Sequence, residues 1–209
     1  MKLTSIDLTD QHPINPRFAF GKLANDAPMA LSDNVSPHLA WQEAPSGTRS
    51  FALLCVDPDV PSEIEDVNQA GRTLPSTMPR VDFCHWVMVD IPADVTELAT
   101  GQCSDGVTPK GKQQPVGPPG SRQGLNDYTG FMAGNPDMAG QYFGYDGPCP
   151  PWNDELLHRY VFSVYALDVD QLDLPDEFSG PDALKAMQGH ILASASLTGT
   201  YTLNPSVKE

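Results

Sequence analysis

Between Ala193 and Leu203 the chain alternates without interruption. Ala193, Ala195, Leu197, Gly199, Tyr201 and Leu203 fall on one side of an extended backbone, and Ser194, Ser196, Thr198, Thr200 and Thr202 on the other. A period of two marks a half-buried strand, and the serine and threonine side is expected to face water. Three further runs, residues 51–56, 85–91 and 160–167, are apolar on both sides. They read as strands covered on both faces. Between such runs stand 21 prolines and 17 glycines, which predict many turns and little continuous helix and exclude bundles and coiled coils.

Helix formers gather only at residues 182–188, behind Pro181, with Gly189 closing the segment. A second helical turn is expected over residues 94–99. No internal repeat or compositional break divides the chain, so residues 1–209 read as a single domain, long enough to bury a core without staples. The expected architecture is mainly β: one antiparallel β-sandwich with one or two short helices at its edge. Residues 101–147 show scattered glycine and proline and no periodicity. A stretch of that length is uncommon in a compact domain unless it builds a site.

Acidic residues outnumber basic ones by 27 to 12, giving a formal net charge of −15 and a pI near 4.4. Phosphate-backbone contact is driven by lysine and arginine, so nucleic acid is excluded as a partner, and an anionic membrane surface is disfavoured for the same reason. No stretch approaches the roughly 20 apolar residues of a membrane span, and the first residues lack the apolar run of a signal peptide. The chain is expected to be cytoplasmic. Its four cysteines form no CxxC pair, and Cys55 and Cys84, lying in or against apolar runs, are expected to be reduced core residues.

Three polar clusters sit at the ends of these runs. Asp57-Pro58-Asp59-Val60-Pro61 places two carboxylates at i and i+2, on one side if the chain is extended, although the same residue types also build turns. His85-Trp86 opens the second run. His158-Arg159-Tyr160 opens the third, with His158 and Tyr160 on one face and Arg159 on the other. Two aspartates, two histidines and a tyrosine allow three chemistries: a divalent-metal site, hydrolysis by a His–Asp pair, or a cradle for a small anion. The G-x-S-x-G elbow, H-E-x-x-H, the P-loop and the dinucleotide fingerprint are absent from the sequence, so no nucleophile or cofactor is indicated.

The succession Ser36-Pro37-His38-Leu39-Ala40-Trp41, Pro45-Ser46-Gly47-Thr48 and Asp57-Pro58-Asp59-Val60-Pro61 resembles the phosphatidylethanolamine-binding protein family. The resemblance continues through His85-Trp86-Val87-Met88-Val89-Asp90-Ile91-Pro92, Tyr145-Asp146-Gly147-Pro148-Cys149-Pro150-Pro151 and His158-Arg159-Tyr160-Val161-Phe162. The ending from Gly189 to Tyr201 is similar to the bacterial and archaeal, Raf-kinase-inhibitor-like branch. The resemblance implies a β-sandwich whose pocket is built by Asp57, Asp59, His85, His158 and Tyr160, with Gly147 and Pro148 beside them, and which accepts phosphate-like groups. It further implies a regulatory, inhibitor-like binding protein and a cis bond at Val60-Pro61, and leaves the oligomeric state open, a homodimer being common among bacterial members; no metal or cofactor is expected, because the aspartates are better used to orient protonated histidines. A hydrolase or metal-dependent enzyme is the alternative. Residues 152–157, where the family usually has a short link with glycine and lysine, carry Asp154 and Glu155, an acidic pair expected to weaken the field at the pocket mouth. With the chain at −15, attraction of an anion must come from short-range donors: protonated His85 and His158, the Tyr160 hydroxyl and N–H groups near Gly147, with Asp57 or Asp59 keeping a histidine charged.

Overall fold

The apolar runs become the long strands of one six-stranded sheet. The computed structural model describes residues 1–208. In chain order its elements are β1 (Lys2–Thr4), β2 (His12–Pro13), β3 (Gly21–Lys22), β4 (Ala30–Leu31), β5 (Leu39–Gln42), β6 (Ser50–Pro61), β7 (Arg80–Pro92), β8 (Glu97–Leu98), β9 (Arg122–Gln123), α1 (Tyr128–Phe131), β10 (His158–Leu167), α2 (Gly180–Ala186) and β11 (Ile191–Tyr201). The large sheet has the order β2-β11-β10-β6-β7-β9, and β1-β5-β8 form a second sheet. Pairing is antiparallel except for the short parallel contact of β2 with β11.

The alternation within β6 and β7 shows why both faces had to be apolar. Phe51, Leu53 and Cys55 of β6, with Trp86 and Met88 of β7, pack into the core shared with Leu3, Leu39 and Trp41 of the small sheet. Ala52, Leu54, Val87 and Val89 face the other way, under Leu172, Phe178, Ala183 and Met187 from α2 and its approach. The result is a β-sandwich with a helix-covered outer face. Cys55 lies in the first core and Cys84 in the second, both as free thiols.

The helix behind Pro181 forms as expected, capped by Ser179 and Asp182 in a reciprocal capping box. The second expected helix does not. After a turn at Pro92, the chain extends through β-branched Val95 and Thr96, the Thr96 carbonyl accepts from the Trp41 N–H, and Glu97–Leu98 pair with β5 as a strand. On β11 the serine side is exposed at Ser194 and Ser196. Thr200 and Thr202 are buried, and Thr200 lies opposite β2.

No cis peptide bond occurs among the described residues, so the bond between Val60 and Pro61 is trans, against expectation. The reason is strand pairing: β6 continues through Pro61, with Val60 opposite Val81 and Pro61 opposite Arg80, and extended pairing holds a trans backbone.

Candidate functional site

Two irregularities in the β6–β7 ladder aim the site residues. Cys55 pairs with Trp86 but Val56 pairs with Cys84, so the extra residue is His85. Asp57 pairs with Phe83 but Val60 with Val81, so Pro58 and Asp59 together stand against Asp82, one residue in excess on β6. A bulge adds an unpaired residue and re-aims its side chain, and Pro58, having no N–H, suits such a position. Adjacent strands thus turn His85 and Asp57 toward the same end of the sandwich.

The floor is built from there. Asp57 accepts from Nδ1 of His158 at 2.7 Å and from the N–H of Asp59 at 2.8 Å. Nε2 of His158 donates to Asp154 at 3.1 Å, and Arg80 clamps the same carboxylate at 2.5 and 3.0 Å. Burial opposes the charge on His158, but the hydrogen bonds it donates to Asp154 and Asp57 outweigh it and raise the pKa to about 9. Burial also works against ionisation of Asp154; its bonds to His158 and Arg80 prevail and hold its pKa below the usual carboxylate value.

His85 is held differently. Its Nδ1 donates to the backbone carbonyl of Asp146 at 2.8 Å, and the Asp146 N–H returns a bond to the His85 carbonyl. The Asp146 carboxylate is itself fixed by Asn34, Asn126 and Lys112, each at 2.8 Å. Burial lowers the His85 pKa below its ordinary value despite the nearby Asp57, Asp127 and Asp146. The imidazole is therefore neutral at neutral pH and presents Nε2 as a lone pair, with no partner among the described residues. Its ring meets that of Tyr160 edge-on at 5.1 Å. The Tyr160 hydroxyl is fully buried and makes no hydrogen bond of normal geometry among the described residues. Burial first, and the Asp57 charge second, keep it protonated.

Above this floor opens a cavity of about 590 Å³, lined by Asp57, His85, Tyr160 and Asp127 among polar groups and by Val60, Pro61, Ile64, Phe83, Tyr128 and Phe131 among apolar ones. Asp57, His85 and Tyr160 converge on it as expected. The other expected residues do not line it. His158 is completely buried behind Asp57, and Asp59 turns away to bind Arg159 through three bonds of 2.8–2.9 Å. The N–H of Gly147 is taken by Asn34, a Cβ there would lie 2.0 Å from the Phe18 carbonyl oxygen, and the Pro148 carbonyl accepts from Phe20 and Gly21. Gly147 and Pro148 are thus scaffold. Asp154 is no surface charge at the mouth but a buried partner of His158. The expectation of two protonated histidines holds for His158 and is corrected for His85.

The residues missed by sequence reading come mostly from the segment without periodicity. Asp127 exchanges backbone bonds with Cys84, its carboxylate accepting from the Cys84 N–H at 2.7 Å, which pins Tyr128 and Phe131 over the cavity. Burial raises the Asp127 pKa. Phe83 shares a strand with His85 at i and i+2, a spacing that could have identified it. Among the described residues no group of three or more histidines, cysteines or carboxylates is arranged to hold a metal ion.

The β-sandwich thus carries a polar-floored, apolar-walled cavity at one end, the kind of concave space in which small ligands are commonly held. The chain belongs to the phosphatidylethanolamine-binding protein family, whose model matches residues 4–202. It is 34% identical over 202 residues to the UPF0098 protein YbhB of Escherichia coli K12, covering 97% of this chain and 100% of that one. A UPF0098 protein of Methanothermobacter thermautotrophicus is 37% identical over 169 residues, covering 81% and 83%. The crystal structure of E. coli YbcL, described as a new member of the mammalian PEBP family, superposes with a TM-score of 0.68 at 27% identity, over 96% of this chain and 97% of that one.

Proposed function

We propose that this chain is a non-catalytic, small-ligand-binding protein with a regulatory role, which takes a polar head on the floor formed by Tyr160, His85 and Asp57 and an apolar body against the cavity wall. The observation that carries this reading is the Tyr160 hydroxyl. It is buried at the cavity floor beside Asp57, with no hydrogen bond of normal geometry among the described residues, so its O–H is placed to turn to a ligand group that enters the cavity.

A phosphate-like head, the class that the family name suggests, is taken up together with a proton. With Asp57 and Asp127 on the wall and His85 neutral, His85 adds a donor beside Tyr160 on the floor only when its Nε2 is protonated. Hydrolytic chemistry has less support. None of Ser62, Thr129, Ser179 or Cys149 on the wall is hydrogen-bonded to His85. Burial also pushes the Cys149 thiol up to about 12, far from a thiolate nucleophile. Calorimetric titration with phenyl phosphate across the acidic to neutral range tests the reading: binding strengthens as pH falls and weakens in Tyr160→Phe. Affinity indifferent to both contradicts it.

A further inference from the structure

The floor of the cavity is almost closed to water. Tyr160 is 0% exposed, Asp57 1% and His85 3%, so a ligand head larger than a water molecule cannot settle on them until part of the wall moves. Outside the strands, the wall comes mainly from residues 62–68, 125–131 and 149–151. The middle segment is firmly fixed: Asp127 exchanges bonds with Cys84, the Tyr128 hydroxyl donates to the Gly147 carbonyl at 2.8 Å, and the Tyr128 ring stacks on Phe20 at 4.6 Å. Pro150 and Pro151 are buried, and the Pro148 carbonyl before them accepts from Phe20 and Gly21. Residues 62–68 are held by far less. They belong to an Ω-shaped loop closed at its neck by the Ser62 N–H and the Pro79 carbonyl, and within residues 62–79 only Leu74 is buried.

Among the described residues, every hydrogen bond from residues 63–78 to the rest of the chain goes to residues 152–155 or to Arg80. The side chain of Asn153 is the hub. Its Oδ1 accepts from the Asn68 N–H at 2.9 Å, and its Nδ2 donates to the Asp66 and Arg72 carbonyls at 2.9 and 3.2 Å. Asn68, in the left-handed region at φ 57°, completes the clasp by accepting from the Trp152 N–H at 3.0 Å. Farther along, Arg80 holds the Pro75 and Met78 carbonyls and is itself bound to buried Asp154. Resting on the reading of this cavity as a ligand site, we propose that the loop 62–79 is its gate and Asn153 the latch. Release of the Asn153 bonds lifts Ile64, Val67 and Asn68 away from the floor, while Leu74 and Arg80 stay in place as the hinge. Bonds between neutral amides suit a latch, because water replaces them when the loop lifts and the net cost of opening is small. Their return closes the wall over a bound ligand.

Rates of phenyl phosphate binding to the whole protein at acidic pH test the gate. Calorimetry supplies Kd and phosphorus NMR exchange the dissociation rate, and their ratio is the association rate constant. A latched wall slows association by the fraction of molecules that stand open. Asn153→Ala is expected to raise the association rate constant about tenfold, and Asn68→Gly, which loses only the Trp152 bond, about threefold. Glycine adopts the same left-handed backbone and leaves Asn153 untouched, so Asn68→Gly carries the test if Asn153→Ala fails to fold. Loss of a merely structural wall contact speeds dissociation and leaves association as it was. An unchanged association rate in the folded variants therefore overturns the gate while the cavity remains a ligand site. Failure of phenyl phosphate to bind the wild type overturns both.

Discussion

Nδ1 of His158 lies 2.7 Å from the Asp57 carboxylate, and both side chains are almost wholly removed from water. The imidazolium is held between Asp57 and Asp154, so removing it leaves two buried carboxylates facing each other. Its pKa of about 9, against about 6.5 in an unfolded chain, makes the ion pair a contribution to stability on the order of 3 kcal/mol. Because the folded value is the higher one, this contribution is complete below about pH 6.5 and disappears as pH rises through about 9. Urea midpoints at about pH 6, 8 and 10 are expected to fall across that window, and the fall to flatten in His158→Gln. A midpoint constant from about pH 6 to 10 contradicts the assignment.

Asp59, adjacent to the site in sequence, acts on Arg159 instead. Its pKa is lowered because the Arg159 bonds outweigh the effect of burial, yet the guanidinium is half exposed and solvent screens the pair. Asp59→Asn is expected to cost about 1 kcal/mol in denaturant unfolding. It leaves the pH profile of phenyl phosphate binding where it is in the wild type. A displaced profile would place Asp59 inside the site after all.

The contrast between these two aspartates shows what the sequence could and could not convey. The strands were legible because apolar periodicity is set by burial itself, residue by residue. Asp57, His85 and Tyr160 were legible as polar groups closing apolar runs. Which aspartate faces the cavity depends on a one-residue bulge at Pro58-Asp59, and a bulge alters no residue type. Asp127 lay hidden for another reason. Its position is set by backbone bonds to Cys84, more than forty residues away, and not by any local pattern. The trans bond before Pro61 and the strand at Glu97–Leu98 were likewise decided by pairing partners distant in sequence.

Gly147 is a steric requirement, not a donor. A methyl group there meets the Phe18 carbonyl oxygen at 2.0 Å and the Tyr145 hydroxyl at 2.8 Å, both in a packed interior. Gly147→Ala is expected to destabilise by about 3 kcal/mol, a loss on the order of 6–12 °C in Tm for a domain of this size. The same shift of the chain would displace the Asp146 carbonyl that orients His85, so binding should weaken in the fraction that remains folded.

His85 is the group that responds to pH. Its folded pKa lies below the ordinary histidine value because burial outweighs Asp57, Asp127 and Asp146. Phenyl phosphate affinity should therefore be low at neutral pH and rise as pH falls below about 6.5. His85→Gln, which cannot acquire the proton, flattens the curve. A rise centred near pH 9 would identify His158 as the responding group instead.

The central claim is that the Tyr160 hydroxyl and His85 Nε2 meet a ligand inside the cavity. A high-resolution crystal structure of the protein with phenyl phosphate at acidic pH tests this most directly. The account predicts the probe in the cavity, with its phenyl ring against Val60, Pro61 and Ile64 and its head in contact with the Tyr160 hydroxyl and His85 Nε2. A probe bound elsewhere, with the cavity empty and the Tyr160 hydroxyl still unpartnered, contradicts it.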